Sequence, residues 1–283
     1  MQTLDDLTAT CRSNRHQNSG LIIGSAPSVD QLSNFSFSGV RIGVGDMPWR
    51  APKFGPYDFW VIANGYYPLP QNRRHLRHLR KYCKTVVLSA ACLQRSLTAE
   101  SDIEKIRSAA RDSKIVFYDE RHFNKKICMP QQNCCKFSQE FSSRLTIQEM
   151  LVEKSGTRVS EFPLSHTAAT YGLSLAVLLG LNPIFISGIE LPKILKNYVA
   201  YKNWKSPIPL HGLRTNLLRI RKPQLASDFG EGFDSTLRAF QLIATQAKEL
   251  GIEIYCLSPS SSLLLIPEIQ YITLSEAKKL GSP

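Results

Sequence analysis

The sequence holds no run of about 20 uninterrupted apolar residues, so no segment reads as a membrane-spanning helix. The nearest candidate, Leu173 to Leu191, is broken by Asn182-Pro183. Asp-x-Asp, the pair with which many nucleotide-sugar enzymes hold Mn²⁺ or Mg²⁺, does not occur, and neither does the Gly-Lys-Ser/Thr ending of a P-loop. Acidic residues are in deficit, with 23 Asp and Glu against 35 Lys and Arg, a formal net charge of +12. That balance favours an anionic partner such as a nucleotide, an acidic sugar, a nucleic acid or a membrane surface. No recognised nucleic-acid motif accompanies the charge, so nucleic acid ranks last among these. The 7 cysteines are odd in number, and the chain starts without a charged, apolar, small-residue leader, so a reducing cytoplasm is the expected compartment. Cys128, Cys134 and Cys135 lack a second ligand pair at zinc spacing, and no metal site is expected.

With 283 residues, 43% hydrophobic and 20% charged, the chain has the composition of a folded α/β protein. Short apolar runs at Leu21–Gly24, Arg41–Gly45, Phe59–Ala63, Thr85–Ser89, Ile115–Tyr118, Ile184–Gly188 and Ile252–Leu257 read as strands. Helical patterns fall near residues 71–82, 98–112, 166–180 and 235–250. The alternation predicts a Rossmann-like, mostly parallel sheet with helices on both faces. The pattern over Thr167–Gly180 is apolar almost all round and stops at Gly180, which predicts a buried helix. A later helix is expected to begin at Asp234-Ser235-Thr236, with Asp234 as N-cap, and to end at Gly251.

Two stretches escape the alternation. Residues 120–165 are mixed and cysteine-bearing. Residues 192–233 carry Tyr198, Tyr201, Trp204, His211, Arg214, Arg219, Arg221 and Lys222 with little periodicity. The second lies between two strands, so it is expected to form a lid or acceptor-side insertion, leaving 1–191 and 234–283 as the α/β body. The basic run Asn72–Lys81 is read either as a solvated helix face or as a peripheral contact with anionic lipid or glycan.

In open parallel sheets ligands bind outside the carboxyl ends of the strands. Gly24-Ser25-Ala26-Pro27-Ser28 follows an apolar strand and opens a helical segment, so its backbone N–H groups are expected to face an anion; a plain strand-to-helix turn is the alternative. Polar side chains recur at other strand ends, at Gly45-Asp46, Ala63-Asn64-Gly65, Ser187-Gly188-Ile189-Glu190 and Ser258 through Ser262.

These residues resemble a family. Gly24 to Ser28 is similar to its G-N-G-P-S-L turn, Leu179-Gly180 with Ile186 to Leu191 to its A-L-G…L-S-G-I-D-F, and Tyr255 to Ser261 to its Y-C-L-C-P-N-S. The family is glycosyltransferase family 42, the bacterial lipooligosaccharide sialyltransferases, and the resemblance spans roughly residues 20–270. It implies a GT-A-variant fold and a metal-independent, inverting transfer from a nucleotide sugar, CMP-linked in that family, to a glycan acceptor, by a homo-oligomer with no bound cofactor. It places Gly24, Ser25, Ala26, Pro27, Ser28, Asp46 and Asn64 around the donor phosphate and ribose. It places Thr167, Ala168, Gly188, Glu190, Ser260 and Ser261 along the rest of the donor pocket. Tyr198 falls where a lid tyrosine assists departure of the phosphate; Pro192 stands at the other such position, and Tyr201 is its candidate substitute. The family's His base corresponds to Asp234, which reads equally as an N-cap, and His211 is a rival base. Ser25 stands for an Asn, and Ser165 for an Arg that would meet the sugar carboxylate. Ser165-His166-Thr167-Ala168 also resembles the motility-accessory-factor and hydroxymethylpterin-pyrophosphokinase-like proteins, which gives an ATP- and Mg²⁺-dependent pyrophosphokinase as one alternative and a non-catalytic nucleotide-binding relative as another.

Overall fold

A computed structural model describes residues 19–24, 26–45, 54–62, 82–89, 114–118, 167–191 and 231–281. The strands are β1 (Gly20–Ile23), β2 (Val40–Val44), β3 (Tyr57–Ile62), β4 (Cys83–Ser89), β5 (Lys114–Tyr118), β6 (Ile184–Ser187), β7 (Ile254–Cys256) and β8 (Ile269–Tyr271). They form one sheet in the order β5-β4-β3-β2-β1-β6-β7-β8. Every described pairing is parallel, with Gly20 of β1 in register with Val40 of β2 on one side and Ile184 of β6 on the other. The fold is α/β and Rossmann-like, as expected from the alternation.

The seven expected strands all form, with ends shifted by a few residues. The eighth, β8, escapes sequence reading because it is three residues long and only Ile269 of the three is buried. An edge strand of that length has no periodicity to detect.

Three α-helices are described: α1 (Ala168–Leu178), α2 (Glu231–Glu249) and α3 (Leu274–Gly281). Alternate strand residues feed two apolar clusters, as the pleat requires. Ile22, Ile42, Val44, Val61, Val87, Ile184, Ile186 and Ile254 pack beneath α1 and α2. Leu21, Ile23, Trp60, Val86 and Phe185 point the other way, into Val29, Leu32, Phe37 and Ala277. Both faces of β1 and β6 are thereby covered, which is the condition that lets a parallel sheet form at all.

Helix α1 lies between the sheet and α2, and its residues from Thr170 to Leu178 are all buried, which explains why its sequence is apolar all round. Its approach to the sheet depends on Gly172, where a Cβ would lie 2.4 Å from Val44 Cγ1. Both long helices close with the same Schellman hydrogen bonds: Leu181 N–H to Ala176 O and Gly180 N–H to Val177 O for α1, Ile252 N–H to Ala247 O and Gly251 N–H to Lys248 O for α2. The stop signals at Gly180 and Gly251 are thus borne out.

The start of α2 corrects the sequence expectation. The helix begins at Glu231, so Asp234 is its fourth residue and not its N-cap, and the last three residues of the expected lid, Glu231 to Phe233, form the first turn. The physical reason is that Asp is compatible with the first turn of a helix as well as with its cap, so the Asp-Ser-Thr signal does not fix which of the two it occupies. The remaining lid residues 192–230, including Tyr198, Tyr201 and His211, lie outside the described residues, as do Cys128, Cys134, Cys135 and the basic run to Lys81. Among the described residues no helix is long and apolar enough to cross a membrane, and no group of His, Cys, Asp and Glu could hold a metal ion.

Two cysteines of the sheet are chemically silent. Burial pushes the Cys83 thiol up to about 12, against the lowering effect of its bond to Thr85 O, and burial raises Cys256 as well. At pH 8 native Cys83 is expected to hold a thiolate fraction on the order of one in ten thousand, so iodoacetamide followed by peptide mapping should label Cys83 and Cys256 only after unfolding. Because the folded pKa of Cys83 lies above its unfolded value of 9.0, its contribution to stability is complete below pH 9 and is lost as pH rises toward 12. A Cys83→Ala variant should lose less stability than the parent between those pH values. Labelling of native Cys83 at pH 8, or identical alkaline slopes, would contradict this account.

Candidate functional site

Beyond β1 the chain proceeds outward through β2, β3, β4 and β5, then returns to β6 on the opposite side of β1. The carboxyl ends of β1 and β6 therefore flank the switch point of the sheet, the crevice where open α/β folds take their ligands. The turns after β1, β6 and β7 converge there.

Gly24 and Gly188 make the convergence possible. A Cβ on Gly24 would lie 2.2 Å from the Gly188 carbonyl oxygen, and Gly188 itself has φ +73°, which only glycine adopts without cost. The close backbone approach allows Gly24 N–H to donate to Ser187 O at 2.8 Å and Ala26 N–H to donate to Gly188 O at 2.9 Å. Ser28 Oγ accepts from Gly188 N–H at 3.1 Å across a sequence separation of 160 residues.

Glu190 joins the three turns. Its Oε1 accepts the Ser28 N–H at 3.0 Å, from 162 residues away. The same oxygen accepts Ser258 Oγ–H at 3.5 Å, from 68 residues on the other side. Its backbone oxygen accepts the Ser262 N–H at 2.7 Å. Next to it, Ser261 Oγ donates to Ile189 O at 2.7 Å and accepts from Leu263 N–H at 3.2 Å, which caps the 3₁₀ turn Ser262–Leu265. Glu190 is 8% exposed, and its other oxygen, Oε2, is buried with no hydrogen-bond partner among the described residues. An unsatisfied buried acceptor costs about 1–3 kcal/mol, and Leu191 directly after it has φ +44°, a left-handed conformation that a bulky residue takes only under constraint. Ser187 Oγ is likewise buried without a partner among the described residues. The end of β6 thus combines a left-handed non-glycine residue with two buried polar atoms that have no partner among the described residues.

The first turn behaves differently from the phosphate cradle expected of it. Pro27–Asn34 is a 3₁₀ helix, not an α-helix, and its N-cap residue, Ala26, has no side chain to cap it. The N–H groups of Gly24, Ala26 and Ser28 donate to Ser187 O, Gly188 O and Glu190 Oε1, and Val29 N–H donates to Ala26 O at 3.1 Å. Pro27 has no N–H to offer. The anion at this helix start is thus the protein's own carboxylate, and the polar group of Ser28 that remains for a ligand is its hydroxyl proton, which has no acceptor among the described residues.

The other predicted positions divide as follows. Gly24, Ala26, Pro27, Ser28, Gly188, Glu190, Ser260 and Ser261 belong to the three converging turns, with the Ser261 hydroxyl committed to structure. Thr167 and Ala168 start α1, and Thr167 Oγ1 accepts from Thr170 N–H at 3.2 Å as its N-cap. Leu181 at the far end of α1 packs on Gly20 at the start of β1, so the Thr167 end of the helix lies toward the carboxyl ends of the strands. Ser25, Asp46 and Asn64 lie outside the described residues, although Gly45 before Asp46 is fastened by Trp60, whose Nε1 donates to its carbonyl at 2.8 Å. Asp234 is placed in the first turns of α2. Ser258 was legible only as part of a serine-rich turn; its bond to Glu190 depends on a contact 68 residues away that no local signal announces. A cavity of about 60 Å³ lined by Leu21, Ile23, Leu32, Phe35, Arg41 and Phe54 lies on the other face of the sheet, away from these groups.

No family model matches the chain, and no curated protein matches it. Among solved structures, the sialyltransferase CstII from Campylobacter jejuni, in complex with a substrate analogue, CMP-3FNeuAc, is similar over 93% of this chain and 87% of that chain, with a TM-score of 0.44 and 14% sequence identity. A likeness at that distance transfers no residue role.

Removal of the Glu190 carboxyl leaves the Ser28 N–H and the Ser258 hydroxyl without their acceptor. Glu190→Ala is expected to destabilise the protein by about 2 kcal/mol, read as a lower urea midpoint at unchanged slope. Glu190→Gln keeps an amide oxygen for Ser28 and should lose roughly half as much. Equal losses in the two variants, or a change in Glu190→Ala too small to resolve, would show that Glu190 does not hold the turns together.

Proposed function

We propose that this protein is a metal-independent, inverting glycosyltransferase of the sialyltransferase-like type, moving a sugar from a CMP-sugar or related nucleotide sugar to a glycan acceptor. The observation that carries the reading is that the three stretches resembling that family, Gly24–Ser28, Ile186–Leu191 and Tyr255–Ser261, follow neighbouring strands at the sheet's switch point, linked through Glu190 to Ser28 and Ser258. The pairing of β1 and β7 with β6 brings the three turns side by side, and polar groups gathered at such strand ends suit a shared ligand.

In this reading the donor lies across the ends of β1, β6 and β7. The β1 turn meets the donor phosphate through the Ser28 hydroxyl, since the N–H groups of Gly24, Ala26 and Ser28 are committed within the protein. Tyr198 and Tyr201 donate hydrogen bonds to the departing nucleotide phosphate, stabilising charge as it develops. Asp234 or His211 takes the proton of the acceptor hydroxyl as it attacks the anomeric carbon opposite the leaving group, which gives inversion. Basic lid residues such as Arg214 and Arg219 offset the phosphate charge that a metal carries in other enzymes. The net charge of +12 suits both the nucleotide and an acidic glycan acceptor.

Isothermal titration of the purified protein with CMP and with CMP-sugars tests this directly. Saturable binding with a Kd below about 1 mM is expected, with CMP preferred over AMP at equal concentration. Absence of binding at millimolar CMP and CMP-sugar, or a preference for ATP with Mg²⁺, would overturn the assignment.

A further inference from the structure

Ser258 and Ser260 differ in the way that matters for a relay: Ser258 is 1% exposed, and Ser260 is exposed at the mouth of the site. Their hydroxyl oxygens are 3.2 Å apart, a distance at which one donates to the other. The direction is set by what Ser258 faces on its other side. Glu190 Oε1 already receives the Ser28 N–H and so acts as an acceptor. Against it Ser258 Oγ, at 3.5 Å, can only donate. A serine hydroxyl has a single proton. With that proton directed at Glu190, Ser258 Oγ has only lone pairs for Ser260, and Ser260 must donate inward. Its exposed side then presents lone pairs alone.

We propose that Ser258 is a positioning residue that makes Ser260 an obligate hydrogen-bond acceptor, so the β7 side of the mouth selects a ligand group with a proton to give, a hydroxyl or an amine, and disfavours a phosphate oxygen. The polarity of the mouth is then asymmetric. On the β1 side Ser28 Oγ has its lone pair engaged by Gly188 N–H and its proton uncommitted among the described residues, so it suits an oxygen of the ligand. On the β7 side Ser260, with its proton turned inward to Ser258, suits a donor. A nucleotide fits in one orientation, with its phosphate toward Ser28 and its hydroxyl- and amine-bearing nucleoside toward Ser260. The orientation rests on the reading of this mouth as a nucleotide-sugar site; the hydroxyl direction does not.

Two measurements separate those layers. The first needs no ligand. In Ser260→Cys the introduced thiol replaces the Ser260 hydroxyl, and the pH dependence of its alkylation, followed by peptide mapping, reports which way the relay runs. The thiol is expected to titrate above the ordinary cysteine value of about 8.5, and adding Ser258→Ala should lower it, because the acceptor that favoured the protonated form is gone. Titration at or below that value, with Ser258→Ala raising it, would mean that Ser258 donates outward, and would overturn the proposal. The second is CMP affinity in Ser260→Ala, Ser258→Ala, Ser258→Thr and the double alanine variant, each confirmed folded by its urea transition. Ser260→Ala and Ser258→Ala should each weaken CMP about tenfold, Ser258→Thr should restore it to within twofold, and the double variant should be no weaker than Ser260→Ala alone. Unchanged affinity in Ser258→Ala, or additive losses in the double variant, would overturn the role of Ser258. Failure of the unaltered protein to bind CMP while the thiol titrates high would remove the nucleotide reading and leave the hydroxyl direction standing.

Discussion

Glu190 Oε1 is held between the Ser28 N–H and the Ser258 hydroxyl, and this one acceptor ties together the turns that follow β1, β6 and β7. The interaction becomes possible only after the backbones at Gly24 and Gly188 have come closer than any side chain permits. It is also costly, since Glu190 is buried with no partner for Oε2 among the described residues and Leu191 beside it takes a left-handed conformation. A carboxyl at the switch point of the sheet agrees with a binding role.

The rest of the described fold serves to make that arrangement rigid. β1 and β6 are covered on both faces, by α1 and α2 on one side and by Val29, Leu32 and Phe37 on the other, so the turns that follow them issue from well-packed strands. Gly172 lets α1 settle against Val44. The Thr167 cap then fixes the start of α1 toward the edge of the sheet where the turns converge. A site carried on well-packed strand ends is suited to holding a ligand in one geometry.

Much of the scaffold was legible in the sequence because buried parallel strands are continuous apolar runs: Leu21 to Ile23 and Ile184 to Ile186 announce themselves by composition. The helix stops at Gly180 and Gly251 were legible for a similarly local reason, the left-handed backbone at each. What escaped was set by tertiary contacts. β8 pairs with β7 although its own three residues carry no pattern. The start of α2 lies three residues before the Asp-Ser-Thr signal that seemed to announce it. The candidate site shows both sides of this. Glu190 was visible as a polar residue at a strand end, yet its function as the acceptor that fills the β1 helix start could not be read from either segment alone. Ser258 looked like one serine among several, and only its distance from Glu190 distinguishes it.

The central claim is that the turns gathered by Glu190 form the seat of a nucleotide, with Ser28 toward its phosphate. A crystal structure of the protein grown with CMP tests it most directly. The account predicts nucleotide density over Gly24–Ser28, Gly188–Glu190 and Ser258–Ser261, with the Ser28 hydroxyl within hydrogen-bond distance of a phosphate oxygen and the nucleoside toward Ser260. Nucleotide bound elsewhere, in the cavity beside Arg41 and Phe54 for instance, or lying in the reverse orientation with its phosphate over Ser260, would contradict it.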